Sequence, residues 1–247
     1  MATASARASS RTVRSLPVRL TEKYFYLAFS MLVAAIVVYG FSFTIGDNLI
    51  HPKIPPPTIL YFHAAAFSAW VVFYILQSVL VRTHNVRIHR TLGWFGAGLA
   101  LVMVVLGYAT AIAMERFNWH QLDQPDAVPF IAVPFWDITA FAVAAALAIS
   151  WRRKPELHRR LMLLATAALT SAAWGRMPTG FFPPVYFYWG VDALIFLGVV
   201  RDLVVNRRVH RVYLFGLPAF FAGQWAAVYL ANHKPEAWVK IARGIVG

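Results

Sequence analysis

The sequence predicts an all-α polytopic membrane protein: a seven-transmembrane-helix bundle with its N-terminus cytoplasmic and its C-terminus outside. Three observations predict it. Of the 247 residues, 60% are hydrophobic and only 13% charged, well to the apolar side of a soluble domain. Apolar runs of about twenty residues, enough to cross about 30 Å of hydrocarbon, recur between Asp-, Pro- or Arg-containing breaks. Positive charge alternates from one break to the next.

The predicted spans run over 24–45, 57–81, 91–114, 129–151, 160–177, 184–203 and 212–231. They divide the chain into a basic cytoplasmic tail (1–23), a membrane domain (24–231) and a short interfacial amphipathic segment (232–247). Arg176, Pro178, Pro183 and Pro184 crowd the turn after the fifth span, where a re-entrant turn is the alternative. Segments 1–24, 82–90, 152–160 and 201–211 carry net charges of +4, +3, +4 and +3. The other connections, with Asp47 and Lys53 and then Glu115, Arg116, Asp123 and Asp126, are neutral or acidic. The positive-inside rule then sets the orientation.

The overall charge of +13 is thus used at membrane faces rather than on nucleic acid. The expected partners are membrane lipid and a lipophilic small molecule or quinone. The Arg- and Ser-rich N-terminus reads as a basic anchor for the first span, with a transit peptide as the alternative. In 235–243, Trp238, Ile241 and Ala242 fall at helical intervals with Lys240 and Arg243 between them, predicting a helix on the outer surface. The chain has no cysteine, which excludes disulfides, thiolate metal sites and cysteine nucleophiles.

Inside the spans two helix faces stand out. In the third, Gly93, Gly96, Ala100, Met103, Gly107 and Thr110 leave one side almost bare, for close helix packing or for a flat cofactor or isoprenoid chain. In the second, His63, Trp70 and Gln77 recur every seven residues with Tyr74 close by, a polar and aromatic stripe that should face the bundle core.

Four ionisable residues lie within apolar runs: His63, Asp137, Arg176 and Asp192. Each costs at least ~2.5 kcal/mol near a bilayer centre, so each marks a candidate site. At ~1.5 Å per residue, His63 lies ~9 Å and Asp137 and Asp192 ~12 Å below the outer ends of their spans, with Arg176 near the outer end of the fifth. All four fall in the outer half of one bundle. Pro134 precedes Asp137 and predicts a kink that frees a carbonyl there; Tyr186, Tyr188, Trp189 and Trp174 would wall the site.

Several chemistries fit. Arg176 neutralises Asp137 or Asp192 as a structural ion pair. His63 serves as a haem axial ligand, or as a metal ligand beside two carboxylates. Asp137 or Asp192 acts as a general acid on a lipid or isoprenoid, with Arg176 as anion partner. A proton or solute path is lined by the same groups.

At the cytoplasmic ends a short signature repeats: Ile88-His89-Arg90, Leu157-His158-Arg159 and Val209-His210-Arg211. His89, His158 and His210 either converge on a haem or metal or set the depth of their spans at phosphate headgroups. The run from His63 through Gln77 to His89-Arg90-Thr91-Leu92-Gly93, with Leu157 to Leu164 later, resembles uncharacterised bacterial integral membrane proteins bearing His-Arg-x-Leu-Gly signatures. The likeness covers roughly residues 57–215. It implies a multi-span fold and a bacterial inner membrane, and brings no reaction with it. A fainter likeness to small b-type membrane cytochromes, resting on His63 and His89, implies haem b.

The chain has no phosphate loop, His-Glu-x-x-His or Gly-x-Ser-x-Gly motif, and its last span holds no lysine for a retinal Schiff base. The leading expectation is a redox-linked protein handling haem b or quinone. The alternatives are a cofactor-free membrane enzyme and a transporter, sensor or assembly factor.

Overall fold

The computed structural model describes residues 16–178 and 187–247, and among these the chain is helical without a strand. The α-helices are α1 (Leu16–Ser42), α2 (Ile59–Arg82), α3 (Val86–Gln121), α4 (Ala132–Ser150), α5 (Pro155–Ala168), one-turn α6 (Ser171–Trp174), α7 (Phe187–Asn206), α8 (Arg211–His233) and α9 (Glu236–Val246). A 3₁₀ segment, Pro125–Ile131, leads directly into α4. His84, Asp123, Arg207 and Lys234 take positive φ between 48° and 64° in the connections that reverse the chain. None is a glycine, so each reversal carries a modest local strain.

Among the described residues five segments are long and apolar enough to cross a membrane: Val18–Ser42, Ile59–Arg82, Val86–Gln121, Pro125–Ser150 and Arg211–His233. They show large apolar side chains on the outside, among them Val38, Leu101, Phe215 and Trp225, each more than 60% exposed. A surface so extensively apolar belongs in lipid rather than water.

The two other predicted spans differ, and both differences have physical reasons. The fifth begins as α5, which stops at Ala168 after 14 residues, about 21 Å against about 30 Å of hydrocarbon. Thr170 Oγ1 turns back to the Ala167 carbonyl (2.7 Å), and such back-bonding competes with the helical ladder. The backbone tightens to i→i−3 bonds at Thr170, Ala173, Arg176 and Met177 and ends at Pro178. The sixth is α7, long enough at 20 residues but carrying Asp192, Arg201 and Asp202. The structure places α5 inside the bundle, with Leu163, Ala165 and Ala167 fully buried. A helix wrapped by protein needs neither full membrane length nor a uniformly apolar surface.

Other boundaries shift as well. Helix α1 starts at Leu16, eight residues before the predicted span, so Arg19, Glu22 and Lys23 are helical; residues 1–15 of the predicted tail lie outside the described residues. Pro134 sits in the first turn of α4, where a missing N–H costs nothing, and the chain tightens into the 3₁₀ segment rather than kinking at mid-span. The bare face of α3 is filled: a Cβ on Gly96 would strike the Phe73 ring, and one on Gly107 the Ile138 side chain. That stripe serves close packing of α2, α3 and α4.

The predicted C-terminal helix forms as α9 and docks on protein. Its Ala242 and Val246 are fully buried, Trp238 Nε1 donates to the Pro129 carbonyl (3.0 Å), and Arg116 Nε donates to the Val246 carbonyl (2.7 Å).

Candidate functional site

The break after α5 is what builds the first polar centre, because it turns Ser171 toward α4. Ser171 Oγ donates to Asp137 Oδ2 (2.5 Å), and Tyr188 OH, from the first turn of α7, donates to Asp137 Oδ1 (2.9 Å). All three side chains are buried. Each carboxylate oxygen therefore has one hydroxyl donor, and among the described residues no cation bonds to Asp137.

One turn further along α7, Asp192 is half-buried, and its Oδ1 accepts a hydrogen bond from Gln224 Nε2 of α8 (3.0 Å). Ser171, Asp137, Tyr188, Asp192 and Gln224 thus form a polar line across α6, α4, α7 and α8. Close packing brings those helices together: a Cβ on Gly190 would strike the Trp174 ring, and one on Gly223 the Trp136 ring. Trp189 points outward at 57% exposure, so it forms no wall, and Tyr186 lies outside the described residues.

Arg176 neutralises neither aspartate. Its guanidinium donates to the Ala172 carbonyl (2.6 Å) and lies over the Phe41 ring, 4.6 Å from its centroid. The residue lies at the protein surface, away from both carboxylates. His63 stacks on Phe67, with ring centroids 3.9 Å apart. Its Nδ1 is buried with no hydrogen-bond partner. Among the described residues no three His, Asp or Glu side chains group closely enough to share a metal ion.

The stripe of α2 faces inward: Trp70, Tyr74 and Gln77 are buried, and Trp70 Nε1 reaches Thr166 Oγ1 of α5 at 3.4 Å. Both amide atoms of Gln77 lack partners. The structure brings His89 to His158, rings 6.2 Å apart and near-perpendicular. His158 Nδ1 is fixed on the Ala148 carbonyl (2.9 Å), whereas His89 Nδ1 has no partner. His63 and His89 lie within the first two turns of α2 and α3, at opposite ends of this antiparallel pair.

His210 does not join that pair. Its Nδ1 accepts from the Val212 N–H (3.2 Å) and caps α8. Burial, followed by the charge of Arg160, lowers its imidazole pKa below the ordinary histidine range.

A second polar centre was not legible as one. Arg160 and Asp202, with side chains 1% and 0% exposed, join α5 to α7: Arg160 Nε donates to Asp202 Oδ2 (2.8 Å) and Nη2 to Oδ1 (2.5 Å). Arg160 Nη1 reaches Glu156 Oε2 (2.6 Å), and Arg201 Nη1 donates to Asp202 Oδ1 (2.9 Å). These residues sit in segments whose surplus of arginine reads as a topology signal. The one usable clue was the pair Glu156 and Arg160, four apart at the start of a helix.

Comparison with protein-family models, with curated proteins and with solved structures found no match.

Proposed function

We propose that this is a proton-handling protein of a bacterial inner membrane, crossing it seven times with the N-terminus inside and the C-terminus outside. In this reading α5 with α6, and α7, complete the bundle begun by the five long apolar helices. Asp137 takes up and releases the proton. Tyr188 and Asp192 extend the route toward Gln224, and the substrate is a quinone-like lipophilic molecule whose oxidation state changes with its protonation.

The observation that carries this reading is the pair of hydroxyl donors on Asp137 in the absence of a cation. A salt bridge would pin a carboxylate in its charged form. Hydroxyl groups both donate and accept, so Ser171 and Tyr188 hold the carboxyl group in either protonation state. Intramembrane carboxyl groups of this kind recur in proton relays.

The test is proton flux into liposomes containing the full chain, read with an entrapped pH-sensitive dye, with and without added quinone and reductant. Asp137→Asn should abolish any flux that Arg176→Gln leaves intact. Equal flux in wild-type protein and Asp137→Asn would sink the proposal.

The pairing of His89 with His158 favours a second reading, in which these two imidazoles hold haem b. The orphaned His89 Nδ1 and Gln77 amide are polar atoms awaiting a partner, and the carbonyl on His158 Nδ1 orients its ring as second-shell partners of ligating histidines do. A Soret band in protein expressed with haem, lost in His158→Ala, is the expected result. A colourless protein rejects this reading.

A further inference from the structure

We infer that the buried arginine centre between α1, α5, α7 and α8 is a binding site for a phosphate group. The argument starts from an imbalance of donors. Asp202 accepts from Arg160 twice, from Arg201 and from Asn206 Nδ2 (3.1 Å), three of these bonds falling on Oδ1 and one on Oδ2. Arg201 is 1% exposed and spends a single nitrogen on that carboxylate. Its Nε and Nη2 are buried with no partner.

Around it the same deficit recurs. Tyr26 OH, Tyr213 OH and Arg159 Nε are also buried without partners. These groups share one locality: the guanidinium carbons of Arg159 and Arg201 lie 5.5 and 5.6 Å from the Tyr26 ring centroid, and Tyr213 lies on α8, which packs against both α5 and α7. Three arginines face two carboxylates, Glu156 and Asp202. A net positive, donor-rich and acceptor-poor site is what a multi-oxygen anion completes.

A buried guanidinium without acceptors on two of its nitrogens is costly. The planar fork of arginine matches the oxygens of a phosphate, and phenolic O–H groups donate to them equally well. The most accessible of these residues are Arg159, 31% exposed, and half-buried Tyr26. The phosphate would enter there either as the headgroup of an anionic lipid or as a free ion.

The experiment uses the full chain, purified and stripped of lipid in a maltoside detergent that contains no phosphate. Phosphatidylglycerol and inorganic phosphate are titrated separately, with chloride at matched ionic strength as the control, and binding is read as a saturable rise in melting temperature and, for the lipid, as a one-to-one adduct by native mass spectrometry. A rise with phosphatidylglycerol alone identifies a lipid headgroup; a rise with both identifies the phosphate group whatever carries it. Tyr26→Phe removes a hydroxyl that bonds to nothing, so its melting temperature without ligand should match wild type while its affinity falls roughly tenfold, the worth of one charge-assisted hydrogen bond. Arg201→Gln should fall further. No response to either probe beyond that to chloride overturns the inference, as does an unchanged affinity in Tyr26→Phe.

Discussion

Arg160 grips Asp202 through two parallel hydrogen bonds, at 2.8 and 2.5 Å, at a place where neither side chain touches solvent. The pair ties α5 to α7 across 42 residues of chain. Replacing Asp202 with Ala strands both Arg160 and Arg201, and the expected loss is about 3–5 kcal/mol. The double variant Arg160→Met with Asp202→Leu removes the buried charge of Arg160 along with its partner and should recover that share of the loss, while the share due to Arg201 remains. Denaturant unfolding in detergent measures both.

Glu156 ties the same centre to pH. Burial alone would raise its carboxyl pKa, but the hydrogen bond from Arg160 and the charges of Arg159 and Arg160 outweigh burial and hold it below the ordinary 4.5. A depressed carboxyl contributes stability above its unfolded pKa and loses it as pH falls through the folded one. The melting temperature of wild type should therefore drop below about pH 4.5 more steeply than that of Glu156→Gln. At 57% side-chain exposure the effect is small.

The Asp137 centre predicts non-additivity. Ser171→Ala and Tyr188→Phe each remove one donor from the same carboxyl group and should each cost about 1–2 kcal/mol. Because they share an acceptor, the double variant should depart from the sum by about 0.5 kcal/mol or more. Unfolding free energies of the four proteins close the cycle.

Packing of the helices makes a contrasting pair of glycines. A Cβ on Gly40 would run into the Ala173 backbone, which cannot swing aside, whereas one on Gly98 meets nothing within 4 Å. Gly40→Ala should destabilise by about 1–3 kcal/mol. Gly98→Ala, on an exposed helix face, should stabilise by about 0.5–1 kcal/mol, and thermal melts of the two should move in opposite directions.

Docking of α9 is separable from the rest. Trp238→Phe leaves the Pro129 carbonyl without its donor and should cost about 1 kcal/mol locally. Amide hydrogen exchange should speed up in α9 and the 3₁₀ segment while α5 keeps its protection.

The long apolar helices were legible because hydropathy and punctuation report directly on spans exposed to lipid. The inward stripe of Trp70, Tyr74 and Gln77 was legible for the same reason, since a seven-residue period maps onto one helix face. What periodicity does not report is which polar group finds which. The partners of Asp137 are a serine in a broken turn and a tyrosine 51 positions away, and Arg176 escapes its expected carboxylate by reaching its own Ala172 carbonyl. Arg160, Arg201 and Asp202 were hidden by context, because a buried arginine and a headgroup-facing arginine look alike in a basic connection.

The link between Arg160 and Asp202 also orders the birth of the protein. Arg160 leaves the ribosome 42 residues ahead of its partner, a delay of about 2–8 s at about 5–20 residues per second. Until α7 arrives, Arg160 has only Glu156 of its own helix as a partner, and α5 is a poor passenger in lipid. The short central helix must wait at the membrane surface or beside the translocation machinery and slide into a scaffold that α1 to α4 have already set, so the innermost helix is among the last to settle.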